Sequence, residues 1–183
     1  VGYVGTHGMV HALSNVLDAA EQLADTPAIA FLLAGGGAER DDLVAEAKRR
    51  GLENVIFLER QPKDRMPAVW SLCYVALVHL KNSDVFRDVI PSKMFEAMAM
   101  GLPVLMASPA GEASNILEKD GAGLHVPAED PGALASAVRR LHQEPSELKR
   151  LAAASLAAAP SHSREAQARD MMAALQHVGG EVS

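Results

Sequence analysis

The sequence predicts an α/β fold: a doubly wound, Rossmann-like parallel sheet of about six strands with helices on both faces. Short continuous apolar runs recur along the chain and alternate with longer stretches of helical periodicity. Gly, Pro and Asp punctuate the junctions, at Gly35-Gly36-Gly37, Pro62, Gly101-Leu102-Pro103, Asp120-Gly121 and Asp130-Pro131. The chain has 183 residues, 49% of them apolar but only 4% aromatic. That is enough for one domain whose small side chains let helices pack closely on a sheet.

In chain order, the apolar runs Val1–Gly5, Ala28–Ala34, Val55–Leu58, Val75–Leu80, Pro103–Ala107 and Gly123–Val126 are the expected strands. Runs without polar alternation are expected where both faces of a sheet are covered, as in parallel sheets. Between the first two, Val10, Leu13, Val16, Leu17, Ala20 and Leu23 recur at helical spacing and make one apolar stripe. Further helices are expected over roughly Glu39–Arg50, Lys63–Leu72, Pro91–Met100, Glu112–Lys119, Gly132–His142 and Glu147–Ala158. Residues 1–160 make up the domain, and 161–183 add its C-terminal helix, Arg164–Val178, and a tail. The handedness of strand–helix–strand crossovers then favours double winding.

Composition narrows the function. A formal net charge of −6 with no basic run argues against nucleic acid as a partner. A single cysteine, Cys73, leaves neither a disulfide framework nor a multi-cysteine zinc site. No run of about 18 apolar residues stands out as a membrane span, and the opening VGYVGTHG lacks the layout of a signal peptide. A cytoplasmic location is expected. The chain opens directly on a strand-like segment, as a domain cut from a longer protein would.

Ligands of open parallel sheets bind beyond the carboxyl ends of the strands, which directs attention to three loops. Gly5-Thr6-His7-Gly8 follows the first strand. Its glycines allow close backbone approach, and the helix behind favours negative charge; an ordinary tight turn is the other reading. His7 is either a polar loop residue or a phosphate or sugar contact. Ala34-Gly35-Gly36-Gly37, after the second strand, is not G-x-G-x-x-G and reads as a flexible turn. The phosphate loop G-x-x-x-x-G-K-[ST] is absent.

The third segment, Lys81–Val104, is the most informative. Pro91 suits the first turn of a helix, and Gly101-Leu102-Pro103 ends it. Phe95, Met98, Ala99 and Leu102 form an apolar stripe, while Ser92, Lys93 and Glu96 share another face. Asp88 precedes the helix. Two carboxylates, a cation, a hydroxyl and free backbone N–H groups at one helix N-terminus can hold a nucleoside diphosphate, with N–H groups and Lys93 on phosphate and a carboxylate on ribose hydroxyls. A Lys93–Glu96 surface pair, with Asp88 as a helix-start acid, explains the same residues equally well.

Asp88 and Glu96, seven residues apart and followed by Ala97-Met98-Ala99-Met100-Gly101-Leu102-Pro103-Val104, resemble the Glu-x7-Glu signature of family 4 retaining glycosyltransferases. The form Ile90-Pro91-Ser92-Lys93-Met94-Phe95-Glu96 is similar to a subgroup acting on bacterial surface polysaccharides. Gly5, Leu33–Gly37, Asn54–Phe57, the Asp120–Gly123 turn and Asp130-Pro131 extend the resemblance over essentially the whole chain.

The resemblance implies one half of a GT-B fold, the C-terminal, donor-binding domain, with an N-terminal domain of the same enzyme as its partner. It implies retaining transfer of a sugar from a nucleoside diphosphate, UDP-linked, to a lipid-linked sugar in surface polysaccharide or lipopolysaccharide synthesis. The full-length protein would then lie peripherally at the inner membrane. It implies no cofactor and no catalytic metal. By position, Glu96 holds the ribose hydroxyls and Asp88 faces the donor sugar. The backbone Pro91–Ser92–Lys93 meets the diphosphate beside Gly5, and Arg60-Gln61-Pro62 lies near the base. Two departures stand out. The first acid is the shorter Asp, and the basic pair usual after the first strand is replaced by Thr6-His7-Gly8-Met9. Lys93 is the candidate replacement cation. A nucleotide-sugar 2-epimerase of the same fold and a non-catalytic sugar-nucleotide-binding domain are the alternatives.

Overall fold

The computed structural model describes residues 1–166, 168, 169, 171, 172 and 176. All six expected strands form: β1 (Gly2–Val4), β2 (Phe31–Ala34), β3 (Val55–Leu58), β4 (Ala76–His79), β5 (Val104–Ser108) and β6 (Gly123–Pro127). They pair in parallel throughout, in the order β3-β2-β1-β4-β5-β6. This is the doubly wound arrangement expected. It places the reversal of winding, where the loops leaving neighbouring strands part, between β1 and β4.

Five helices among the described residues join the strands, α1 (Ser14–Glu21), α2 (Arg40–Arg50), α3 (Met66–Trp70), α4 (Ser92–Ala99) and α5 (Glu112–Asp120), and α6 (Pro131–Gln143) and α7 (Pro145–Ala158) follow β6. Several ends follow the expected chemistry. Gly51 and Gly121 close α2 and α5 in the left-handed conformation, and the Asp130 carboxylate accepts from the Ala133 amide to cap α6. The first expected helix is shorter. A 3-10 turn, Met9–His11, precedes α1, and left-handed Ala12 separates the two. The expected last helix, Arg164–Val178, begins with 164–166 helical and falls partly outside the described residues.

Side chains alternate across each strand and divide the core into two layers. In β4, Leu77 joins Tyr3, Leu17, Phe31 and Leu105 on one face. Its neighbours Ala76 and Val78 join Met94, Met98, Val104 and Met106 on the other. The first layer packs under α1, α2 and α6; the second lies under α4 and α5, with Trp70 of α3. At the far end of α7, His162 stacks on Phe95 of α4 at 4.7 Å and pairs with Asp120 at 2.5 Å.

The pairing of β1 and β2 does not stop at the strand ends. The Gly5 amide donates to the Ala34 carbonyl, the His7 amide to Gly36, and the Glu39 amide to His7. The two loops are therefore zipped main chain to main chain. A Cβ on Gly35 would stand 1.8 Å from the Gly5 carbonyl oxygen, at φ +148°, whereas one on Gly36 would meet nothing within 4 Å. Gly35→Ala is expected to lower the unfolding free energy by more than about 1 kcal/mol, through strain and steric conflict together. Gly36→Ala should change it by no more than about 0.5 kcal/mol. Chemical denaturation of the two variants checks the contrast.

Candidate donor-binding site

The loops leaving β1 and β4 part at the reversal of winding, where doubly wound sheets have their crevice. Beyond β1–β3 lies a cleft of about 580 Å³. Its floor is the two glycine loops, Gly5-Thr6 and Gly35-Gly36-Gly37, and its wall carries Arg60, Gln61 and Lys63. Gly5, Arg60 and Gln61 thus line one cleft. The triple glycine is the feature that sequence reasoning missed. It is a close-packed floor, with Gly37 as constrained as Gly35, since a Cβ there would lie 2.4 Å from the His7 carbonyl oxygen at φ +151°. Consecutive glycines at the carboxyl end of an interior strand were the available signal.

The start of α4 approaches Gly5 through Lys93 and does not itself line this cleft. Pro91 sits just before the helix, extended at φ −70° and ψ 120°, one position earlier than expected. The first turn therefore leaves backbone N–H groups without helical partners. Ser92 is exposed and Lys93 is half-buried. The Lys93 ammonium turns to β1: Nζ donates to the Tyr3 hydroxyl at 3.2 Å and lies 4.3 Å from the centre of the Tyr3 ring. α4 packs on the sheet face opposite the Tyr3 layer, so Lys93 spans the crevice between β4 and β1. A Cβ on Gly5 would come within 2.6 Å of Nζ. Burial pulls the Lys93 ammonium down to about 8, with the Glu96 carboxylate opposing this. The simple Lys93–Glu96 pair considered from sequence is thus replaced by contact with Tyr3, and Glu96 remains exposed.

Asp88 is exposed on the segment between β4 and α4. That segment is tied down at three points. The Lys81 amide donates to the Val10 carbonyl at 2.9 Å, the Asn82 amide to the Glu129 carboxylate at 2.6 Å, and the Glu112 amide to the Arg87 carbonyl at 2.8 Å. The last contact is close because residue 111 is glycine; a Cβ there would lie 2.0 Å from the Arg87 carbonyl oxygen.

His7 lies beneath the floor and not on it. Its side chain is fully buried, between the rings of Tyr3 and Phe57, and both ring nitrogens lack a partner among the described residues. Burial lowers its pKa first, and the nearby Arg40, Lys93 and His11 charges add to this. Below the crevice, His79 Nδ1 donates to the His11 carbonyl at 2.7 Å and His11 Nδ1 to the His79 carbonyl at 3.2 Å. His79 Nε2 faces the Asn15 side-chain amide at 3.2 Å. Burial pushes His79 down to about 4 and lowers His11 as well.

The family model described as glycosyl transferases group 1 matches residues 1–157. The chain belongs to this family. WcaI of Escherichia coli (strain K12), named as a colanic acid biosynthesis glycosyl transferase, is 34% identical over 101 residues, covering 54% of this chain and 24% of its own. WbjE of Pseudomonas aeruginosa, named as a glycosyltransferase, is 31% identical over 134 residues, covering 73% and 33%. The chain thus spans a quarter to a third of the length of these curated relatives. Among solved structures, Anabaena HepE in complex with UDP superposes with a TM-score of 0.80 at 21% identity, covering 97% of this chain and 48% of that one. Sucrose-phosphate synthase from Thermosynechococcus elongatus gives 0.81 at 23% identity, covering 98% and 45%. These likenesses establish the fold as one Rossmann-like half of the GT-B arrangement. No helix among the described residues is long and apolar enough to cross a membrane.

The buried histidines generate a pH prediction. Above the ordinary histidine pKa of about 6.5, folded and unfolded chains are both neutral at these positions. Below it the unfolded chain takes up protons that the folded chain refuses, so stability falls as pH falls from about 6.5 towards 4. For His79 alone, with a folded value of about 4, the loss at pH 5 is about 2 kcal/mol. Urea unfolding at pH 7 and pH 5 should show at least this difference, and His79→Gln should reduce it.

Proposed function

We propose that this domain binds a UDP-linked sugar in the crevice between β1 and β4. In the whole enzyme, we propose, the sugar then passes with retention to an acceptor hydroxyl in surface polysaccharide or lipopolysaccharide synthesis. The observation that carries the reading is Lys93. A lysine in the first turn of a helix opposes the helix dipole, and this one is also drawn from water. A diphosphate at that point would offset both costs, because its oxygens would accept from the free Ser92 and Lys93 amides and from the ammonium together. The family membership supports transfer chemistry, the relatives' names support polysaccharide synthesis, and crystal structures of HepE with UDP and with UDP-glucose support a UDP-linked donor.

In this reading each group has one task. The glycine floor admits the nucleotide closely, with Arg60 and Gln61 beside the base. Glu96 accepts from the ribose hydroxyls and Asp88 faces the sugar. As the bond from the anomeric carbon to the diphosphate breaks, negative charge grows on the leaving oxygen. The Ser92 and Lys93 amides and the Lys93 ammonium stabilise it where it forms. The acceptor, a lipid-linked sugar at the inner membrane face, and a partner N-terminal domain complete the proposed enzyme.

Calorimetric binding of UDP and uridine tests the reading. Lys93→Met keeps the side-chain stem and removes the charge, and should weaken UDP by about 10- to 150-fold while leaving uridine unchanged. Unaltered UDP affinity would remove Lys93 from the site. Glu96→Ala should weaken both ligands through the ribose, whereas Asp88→Ala should weaken only the full UDP-sugar. The pH dependence has a definite sign. Lys93 loses its proton near pH 8 in the free domain, so UDP affinity should fall as pH rises through about 8. In Lys93→Met this fall should vanish.

A further inference from the structure

Holding a lysine ammonium at one point is costly, because the side chain is long, flexible and strongly hydrated. The Lys93 ammonium is nonetheless localised, and Tyr3 localises it. The Tyr3 hydroxyl donates its only proton to the Thr6 carbonyl at 2.7 Å, which leaves its oxygen lone pairs to accept from Lys93 Nζ at 3.2 Å. The face of the same ring attracts the cation from 4.3 Å. Tyr3 itself has little freedom. It is fully buried and lies in β1, paired with Leu33 of β2 and Leu77 of β4. Burial pushes its hydroxyl far above the usual tyrosine range, so it keeps the proton that it gives to Thr6. Beside the ammonium, Gly5 offers no side chain, and a Cβ there would occupy the space that Nζ approaches.

We propose that Tyr3 is a positioning residue for donor binding: its hydroxyl links the Thr6 carbonyl to the Lys93 ammonium and fixes that cation beside Gly5, at the mouth of the crevice. The inference rests on the reading that Lys93 meets the diphosphate. It adds that the cation is set in place before the ligand arrives, by a residue that never touches the ligand. Preorganisation of this kind spares the ligand the cost of ordering the side chain. It also couples the cation to the β1 loop, since Thr6 stands within the stretch zipped to β2. A tyrosine needed only for packing would be replaced by phenylalanine without effect on the diphosphate, because the ring and its cation-attracting face remain.

The test is a thermodynamic cycle with Tyr3→Phe, Lys93→Met and the double variant, each titrated with UDP and with uridine by calorimetry. Tyr3→Phe should weaken UDP about 5- to 20-fold and leave uridine within about twofold. In the Lys93→Met background the same change should move UDP affinity by less than about twofold. If Lys93→Met itself leaves UDP unaffected, the reading of the site fails and the inference with it. If Lys93→Met weakens UDP but Tyr3→Phe does not, the reading stands and the role of Tyr3 is overturned. Tighter UDP binding by Tyr3→Phe, or equal losses in both backgrounds, would overturn it as well. A second measurement needs no substitution: in the unliganded protein at pH 6.5, NMR of 15N-lysine should show one ammonium sheltered from exchange, absent in Lys93→Met. Only freely exchanging lysine ammonium groups would contradict the inference.

Discussion

The site depends on one constraint, the main-chain contact between the loops that leave β1 and β2. The Gly5, His7 and Glu39 amides extend the parallel ladder past the end of the sheet. That extension requires glycine at 35 and 37, because backbone stands where a side chain would begin. It sets Gly5 in the lining of the cleft, where Lys93 approaches. It also buries His7 beneath the floor, which explains why an imidazole in a glycine loop has no solvent exposure.

Electrostatics then distinguishes this crevice from a simple turn. Neutral groups dominate its foundations. His79 is held to about 4 by burial, and His7 and His11 are lowered. Arg60 and Lys63 line the cleft, and the Lys93 ammonium approaches Gly5, which lines it too. A local positive opening in a chain of net charge −6 is what an anionic ligand requires. The carboxylates Asp88 and Glu96 are both exposed.

Much of this was legible in the sequence, for identifiable reasons. Strands such as Val55–Leu58 and Val104–Ser108 are continuous apolar runs between glycine or proline breaks, so their positions were recoverable nearly to the residue. The stretch Lys93–Val104 was readable because its pattern is that of a half-buried helix: Met94, Ala97 and Met98 enter the core while Glu96 is exposed and Lys93 reaches across to Tyr3. What stayed hidden depended on contacts distant in sequence. The path of Lys93 to Tyr3 joins residues 90 positions apart. The rigidity of Gly35 depends on the Gly5 carbonyl. The burial of His7 depends on Phe57 and Tyr3. The break of the first helix at Ala12 also escaped periodicity, since its apolar stripe continues through the 3-10 turn.

The central claim is that a nucleoside diphosphate sits at the reversal of winding, between the β1 loop and the start of α4. Mapping backbone amide shifts while UDP is added tests it most directly. The account predicts saturable shifts concentrated at Gly5–Gly8, Gly35–Gly37 and Ser92–Lys93, with the opposite end of the sheet unmoved. Shifts concentrated instead in the groove of about 260 Å³ at that opposite end, around Val1, Tyr74 and Leu148, would contradict it.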